Sequence, residues 1–151
     1  MNQAVATNRS ARRDYQIEET LEAGLVLTGT EVKSLRRGSC SLKDGFATVR
    51  DGEVYLLDVY IAPYKEGNRY NHEPTRMRKV LLKKSEIARL IGKTQQRGYT
   101  LIPLQIYFKN GYAKVELAVA KGLAKYDKRE KIKREEIARE IQKAMKDFRR
   151  G

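Results

Sequence analysis

The chain has 151 residues, 40% of them hydrophobic, with 32 Lys and Arg against 19 Asp and Glu, a net charge of +13. That length suits one domain plus an extension, and the apolar content is enough for a core, which excludes general disorder. So large a positive charge calls for an anionic partner, nucleic acid before an anionic membrane, because no apolar run nears the roughly 18 residues of a bilayer span.

Cys40 is the only cysteine and His72 the only histidine. They leave no intramolecular disulfide and too few ligands for a Cys/His zinc site. The first ten residues lack the apolar core of a signal peptide, so a reduced, cytoplasmic protein is expected. Cys40 follows Gly38-Ser39 with no histidine nearby and reads as a small packing residue rather than a nucleophile.

Residues 1–13 read as a mobile basic arm carrying Arg9, Arg12 and Arg13. Tyr15, Ile17 and Leu21 then predict a strand with one apolar face, interrupted by Glu19. Leu25-Val26-Leu27 is a further short apolar segment. A short helix follows, capped by Thr28 or Thr30, with Val32 and Leu35 on one face and Gly38 as its stop.

A hairpin runs from Phe46 to Arg50, turns at Asp51-Gly52 and returns over Glu53 to Ile61, because an Asp-Gly pair suits a type I′ turn. Residues 63–74 are polar, aromatic and basic and predict a long loop. Val80-Leu81-Leu82 makes another strand. Ser85 is the expected cap of a helix from Glu86 to about Arg97, striped by Ile87, Leu90 and Ile91 and weakened by Gly92. A second hairpin joins Thr100–Phe108 to Tyr112–Ala120 across Lys109-Asn110-Gly111, and Ala113, Val115, Leu117 and Val119 alternate with Lys114, Glu116 and Ala118.

The expected architecture is therefore mainly β. About six strands form a small antiparallel barrel with two short helices, because closure removes sheet edges. Residues 1–121 form this body and 122–151 a basic tail. Asp127 and Glu130 resemble a capping box, and Ile137, Ile141, Met145 and Phe148 make a narrow apolar stripe. A helix with so thin a stripe is marginal in water, so a tail disordered when free and helical when bound is expected.

The sequence has no P-loop, Gly-x-Gly-x-x-Gly, Gly-x-Ser-x-Gly or metal-ligand cluster. No catalytic residue, metal or cofactor is implied. Basic residues alternate instead with flat side chains: Lys65, Tyr70, His72, Arg76, Arg78 and Lys79 lie near Tyr64 and Asn71. Guanidinium groups grip phosphates, rings stack on exposed bases and Asn pairs with base edges, although a solvated loop with incidental aromatics has the same composition. Two roles are open to Glu31, at a helix start beside Lys33, Arg36 and Arg37. It complements the helix dipole, or it accepts N–H donors from RNA or orients an arginine.

Several segments carry a resemblance that spans almost the whole chain. They are Asn8-Arg9, Ala11-Arg12, Asp14-Tyr15, Glu19 to Gly24, Gly29 to Arg36, Ile61 to Tyr64, Asn71 to Pro74, Arg76, Arg78-Lys79 and Tyr126 to Arg129. In these the chain resembles the SmpB family, the bacterial tmRNA-binding proteins of trans-translation. The resemblance implies an OB-like barrel that binds the tRNA-like domain of tmRNA. It also implies a tail that enters the empty mRNA channel and decoding centre of the small subunit of a stalled ribosome. The alternative is a general OB-type binder of single-stranded RNA, or a ribosomal protein.

The tmRNA contacts so implied are Asn8, Arg9, Arg12, Arg13, Tyr15, Glu31, Lys33, Ser34, Arg36, Tyr64, Asn71, His72, Arg76, Arg78 and Lys79. The family context favours an RNA-facing Glu31. The ribosome-binding tail comprises Lys121, Gly122, Lys125, Tyr126, Asp127, Lys128, Arg129, Lys131, Lys133, Arg134, Ile137, Ile141, Met145 and Phe148. Expected partners are tmRNA, the ribosome with its RNA, and the alanyl-tmRNA complex with elongation factor Tu. No membrane is expected, and the protein is expected to be a monomer. Two departures stand out. Gly122-Leu123-Ala124 replaces the family's usual Gly-Lys-Lys, and Arg13 stands where a His often precedes Asp-Tyr.

Overall fold

The structure, a computed structural model, describes residues 3–123 and 136–146, without the side chains of residues 68 and 69. The elements run β1 (Ala4–Thr7), α1 (Ala11–Asp14), β2 (Tyr15–Leu25), α2 (Gly29–Arg36), β3 (Cys40–Ser41), β4 (Phe46–Arg50), β5 (Glu53–Leu57) and β6 (Tyr60–Ile61). A 3₁₀ turn (Lys65–Tyr70), β7 (Arg78–Leu81), α3 (Lys84–Thr94), β8 (Tyr99–Lys109) and β9 (Tyr112–Gly122) follow. Helix α4 spans residues 136–146.

The turns fall where the sequence puts them. Asp51 and Gly52 have φ of 53° and 75°, and Asn110 and Gly111 have 53° and 81°, the paired positive values a type I′ hairpin needs. Both turns pin register: Arg50 faces Glu53, and Lys109 faces Tyr112. The return from Asp51-Gly52 is broken by Asp58, φ 56°, into β5 and β6.

Strand pairing closes into a ring, β8–β4–β5–β7–β2–β9 and back to β8, all antiparallel. This agrees with the closed, mainly β body of about six strands expected from sequence. The ring encloses the main core, in which Leu35, Val54, Leu56, Val59, Ile61, Val80, Leu90, Ile106, Val115, Leu117 and Val119 are fully buried.

Three expectations need correction. The N-terminal segment is not a mobile arm, because Ala4–Thr7 pairs with β8 and Ala11–Asp14 forms a helical turn. A second small core explains it. Ala11, Ile102, Leu104, Ala118 and Ala120 cluster on the outer face of the sheet, flanked by Tyr15 and Ile17. β9 is thus buried on both faces from Leu117 to Ala120, which its simple alternation did not suggest. Residues 15–25 are one strand, not two segments. Glu19 does not interrupt it, since a bulge between Ile17 and Glu19 absorbs the irregularity. Glu19 then receives Lys93 and, at 3.1 Å, Arg89, tying α3 to the barrel. Helix α3 starts two residues before the expected position. Glu86 Oε1 accepts the Lys83 N–H at 2.9 Å, and Ser85 is inside the helix.

One close approach has a measurable consequence. A Cβ on Gly45 would sit 2.6 Å from Val59 Cγ2 and 3.2 Å from Pro103 Cγ. Val59 is fully buried. Gly45→Ala is therefore expected to cost roughly 1–3 kcal/mol by overpacking, read as a lower urea midpoint at unchanged slope. A variant as stable as the parent would show that Val59 moves aside freely.

Candidate nucleic-acid interface

Helix α2 organises the cationic face. Its N-terminus is closed by a capping box: Glu31 N–H donates to Thr28 Oγ1 at 3.4 Å, and Thr28 N–H donates to Glu31 Oε1 at 2.8 Å. Thr28, not Thr30, is the cap. The same carboxylate receives two arginines from the far side of the chain. Arg76 reaches Oε1 at 2.6 Å and Arg78 Nε reaches Oε2 at 2.5 Å.

Arg78 is spent within the fold. It donates also to the carbonyls of Val59 at 2.6 Å and Pro74 at 3.0 Å, and both it and Glu31 are 0% exposed. Burial pushes the Glu31 carboxyl up, but hydrogen bonds from Arg76, the Thr28 N–H and Arg78 outweigh it and hold the group below its ordinary value. One carboxylate against two guanidiniums leaves a single positive charge, and the partly exposed Arg76 brings it to the surface. Glu31 sits in the first turn of α2, where it complements the helix dipole, and it also orients two arginines. As an acceptor facing RNA it is corrected, since no part of it reaches solvent.

Four other sequence-chosen contacts also turn inward. Ser34, 2% exposed, donates to Ala62 O at 2.6 Å. Asn71 clasps the Tyr64 backbone from both sides, accepting its N–H at 2.8 Å and donating to its carbonyl at 2.6 Å. His72 is 9% exposed, with Nε2 2.9 Å from Ile61 O and Nδ1 2.8 Å from Thr30 Oγ1. A carbonyl only accepts, so Nε2 carries the proton there. Asn8 donates to Pro103 O at 3.0 Å and Leu42 O at 3.4 Å. These side chains shape the backbone around α2 and β1; Ser34 and His72 are buried, and Asn8 and Asn71 are half-buried. Arg78 joins them as a residue that holds the loop, not a phosphate ligand.

The exposed set is narrower. Lys33, Arg36 and Arg37 project from the end of α2. The Lys33 ammonium lies 5.4 Å and the Arg37 guanidinium 4.5 Å from the Tyr64 ring centre, and Arg36 lies 4.1 Å from that of Phe108. Arg37 also meets Glu66 at 3.2 Å. Arg37 is not among the contacts that the sequence implies, because its place three residues after Ser34 gives no sign of the ring it covers. Lys79 is half-buried with Glu53 3.7 Å away. Around α1, Arg9, Arg12 and Arg13 are exposed, while Tyr15 is half-buried against the second core. Lys121 and Gly122 end β9 and are exposed.

In the tail, residues 136–146 are exposed throughout, with Ile137, Ile141 and Met145 at 46%, 54% and 54%. Lys125, Tyr126, Asp127, Lys128, Arg129, Lys131, Lys133, Arg134 and Phe148 lie outside the described residues.

Among the described residues no three His, Cys, Asp or Glu side chains gather to hold a metal, and no helix is long and apolar enough to cross a membrane. Burial pushes the Cys40 thiol up to about 11, against a smaller opposing pull from Arg78, so it stays protonated at neutral pH.

The family model for the SmpB protein matches residues 5–147. The chain belongs to the SmpB family. It is 60% identical over 143 residues to an SsrA-binding protein of Geobacillus thermodenitrificans, covering 95% of this chain and 92% of that one. It is 58% identical over 146 residues to one of Halothermothrix orenii, covering 97% and 94%. A chain in the solved structure "tmRNA-SmpB: a journey to the center of the bacterial ribosome" superposes with a TM-score of 0.68 at 52% identity, covering 83% of this chain and 92% of that one. The exposed arginines and lysines lie around α2 and α1, and near α2 the buried Glu31 pairs fix the position of Arg76 and Arg78.

Proposed function

We propose that this SmpB-family chain is a non-enzymatic adaptor that binds the tRNA-like domain of tmRNA and delivers it to stalled ribosomes in the cytoplasm. Fold alone does not assign function. The observation that carries the reading is the match over nearly the full length to SsrA-binding proteins, together with likeness to a chain from a tmRNA-SmpB structure. The geometry supports it with an exposed basic surface whose backbone is set by buried polar pairs. Arg9, Arg12, Arg13, Lys33, Arg36, Arg76 and Lys79 supply phosphate contacts, and Lys33 lies 5.4 Å from the centre of the Tyr64 ring. The tail, beyond Gly122 at the end of β9, works on the small subunit in the mRNA channel and decoding region. The alanyl-tmRNA complex with elongation factor Tu is the form delivered, by a monomer of the protein.

A competition between the tRNA-like domain and an unstructured RNA of equal length tests this. The folded RNA is expected to win, with log affinity falling linearly as log salt rises. Lys33→Ala and Arg36→Ala are each expected to flatten that slope by about one unit. Equal binding of both RNAs would favour a general single-strand binder, and affinity indifferent to salt would remove the phosphate-contact reading.

A further inference from the structure

The last residues of the body are held on two sides. β9 pairs with β2 as far as Tyr15 opposite Gly122, and Gly122 N–H donates to Gly98 O at 3.2 Å. One residue on, Leu123 N–H donates to the carbonyl of Asp14, the last residue of α1, at 3.1 Å. The open end of a long hairpin ordinarily frays, because its terminal hydrogen bonds face water. Here α1 covers that end.

The helical turn is itself fastened at several points. Asn8 N–H donates to Leu104 O at 2.8 Å, and its side chain to Pro103 O at 3.0 Å. Asp14 N–H donates to Ser10 O at 2.9 Å. Ala11, 1% exposed, sits on Ile102, Leu104, Ala118 and Ala120. None of these residues belongs to the main barrel core, which is complete without them. A second core at one strand end adds little to the ring, but it holds the end of β9 through Ala118 and Ala120.

We propose that α1 is a positioning clamp for the tail: through Ala11 and the Asp14 carbonyl it fixes the point and heading at which the chain departs at Leu123. This rests on the reading that the tail acts on the ribosome. A segment tethered with a fixed heading searches a smaller volume for its site, which raises its effective concentration there without any new contact. Ala11 and Asp14 are thus positioning residues for tail engagement.

Leu123→Pro tests it in the full chain, because proline removes the N–H that meets Asp14 O while leaving α1 unaltered. Leu123→Ala keeps the N–H and is the conservative control. For Leu123→Pro we expect tmRNA affinity and the thermal midpoint to match the parent, Gly122 amide exchange to speed up, and peptide tagging on stalled ribosomes to fall roughly tenfold or more. Leu123→Ala is expected to tag as the parent does. Normal tagging by Leu123→Pro, or tmRNA binding lost in proportion to tagging, overturns the clamp. A chain truncated after Tyr126 separates the two readings. If truncation abolishes tagging while Leu123→Pro tags normally, the clamp alone is wrong. If truncation too tags normally, the tail has no ribosomal role and the clamp falls with it.

Discussion

Glu31→Ala is expected to destabilise the fold by about 3–5 kcal/mol, because it strands a buried guanidinium without its counter-charge. Arg78 is fully buried and Glu31 is its only acidic partner, at 2.5 Å, among the described residues. The same substitution strips the Thr28 N–H and Arg76 of their acceptor. Against a total stability of roughly 5–15 kcal/mol, that is a large share. An RNA-facing Glu31, as the family resemblance implies, would instead lose RNA affinity when replaced. The structure puts the cost in folding, with RNA affinity lost through a displaced Arg76 and a loosened α2. Urea denaturation measured beside tmRNA affinity separates these outcomes. A Glu31→Ala variant as stable as the parent but weak in RNA binding would return Glu31 to the contact surface.

The same pair predicts a pH dependence. The Glu31 carboxyl is held below its ordinary value in the folded protein. Its ionisation therefore favours folding above its unfolded pKa of about 4.3, and that contribution is lost as pH falls through the lower folded value. Glu31→Gln lacks this contribution at every pH. The gap in urea midpoint between parent and Glu31→Gln should stay constant near neutrality and narrow below about pH 4. A gap that persists unchanged in acid would mean that the charge of Glu31 is not what Arg76 and Arg78 respond to.

Truncation after Tyr126 is expected to leave folding and tmRNA binding close to the parent while abolishing tagging on stalled ribosomes. Both cores are complete by Ala120, and no residue of 136–146 is buried. An exposed helix with an apolar stripe of Ile137, Ile141 and Met145 contributes nothing to the barrel. Holding this helix in one place on a partner costs conformational entropy, which phosphate contacts and the covered stripe must offset. Replacing Asp127, Lys128 and Arg129 together with alanine should reproduce much of the defect by removing two cations and the cap that the sequence predicts at Asp127. The measurement is tmRNA affinity beside peptide tagging in a reconstituted assay. Truncated protein that tags normally, or that loses both activities together, would break the division of roles between body and tail.

The features legible in the sequence are those whose energy is contained within a few residues. Asp51-Gly52 and Asn110-Gly111 must turn as they do because positive φ costs least there, and both do. Thr28 caps α2 through a partner three residues away, and the stripe of Ile87 and Leu90 buries one face of α3. The basic surplus needs no fold to be read. Burial, ring closure and pairing across long separations were not legible. Residues 1–13 read as a mobile basic arm until β8 offers an edge to Ala4–Thr7 and Ile102, Leu104, Ala118 and Ala120 offer a second apolar face to Ala11. Asn71, His72 and Arg78 have the chemistry of RNA ligands, and only their packing shows that their hydrogen bonds are taken by Tyr64, Ile61, Val59 and Pro74. Glu31 joins both kinds. Its capping bond is local and was foreseeable, whereas its arginines lie 45 and 47 residues away and meet it only because the chain between them closes the barrel.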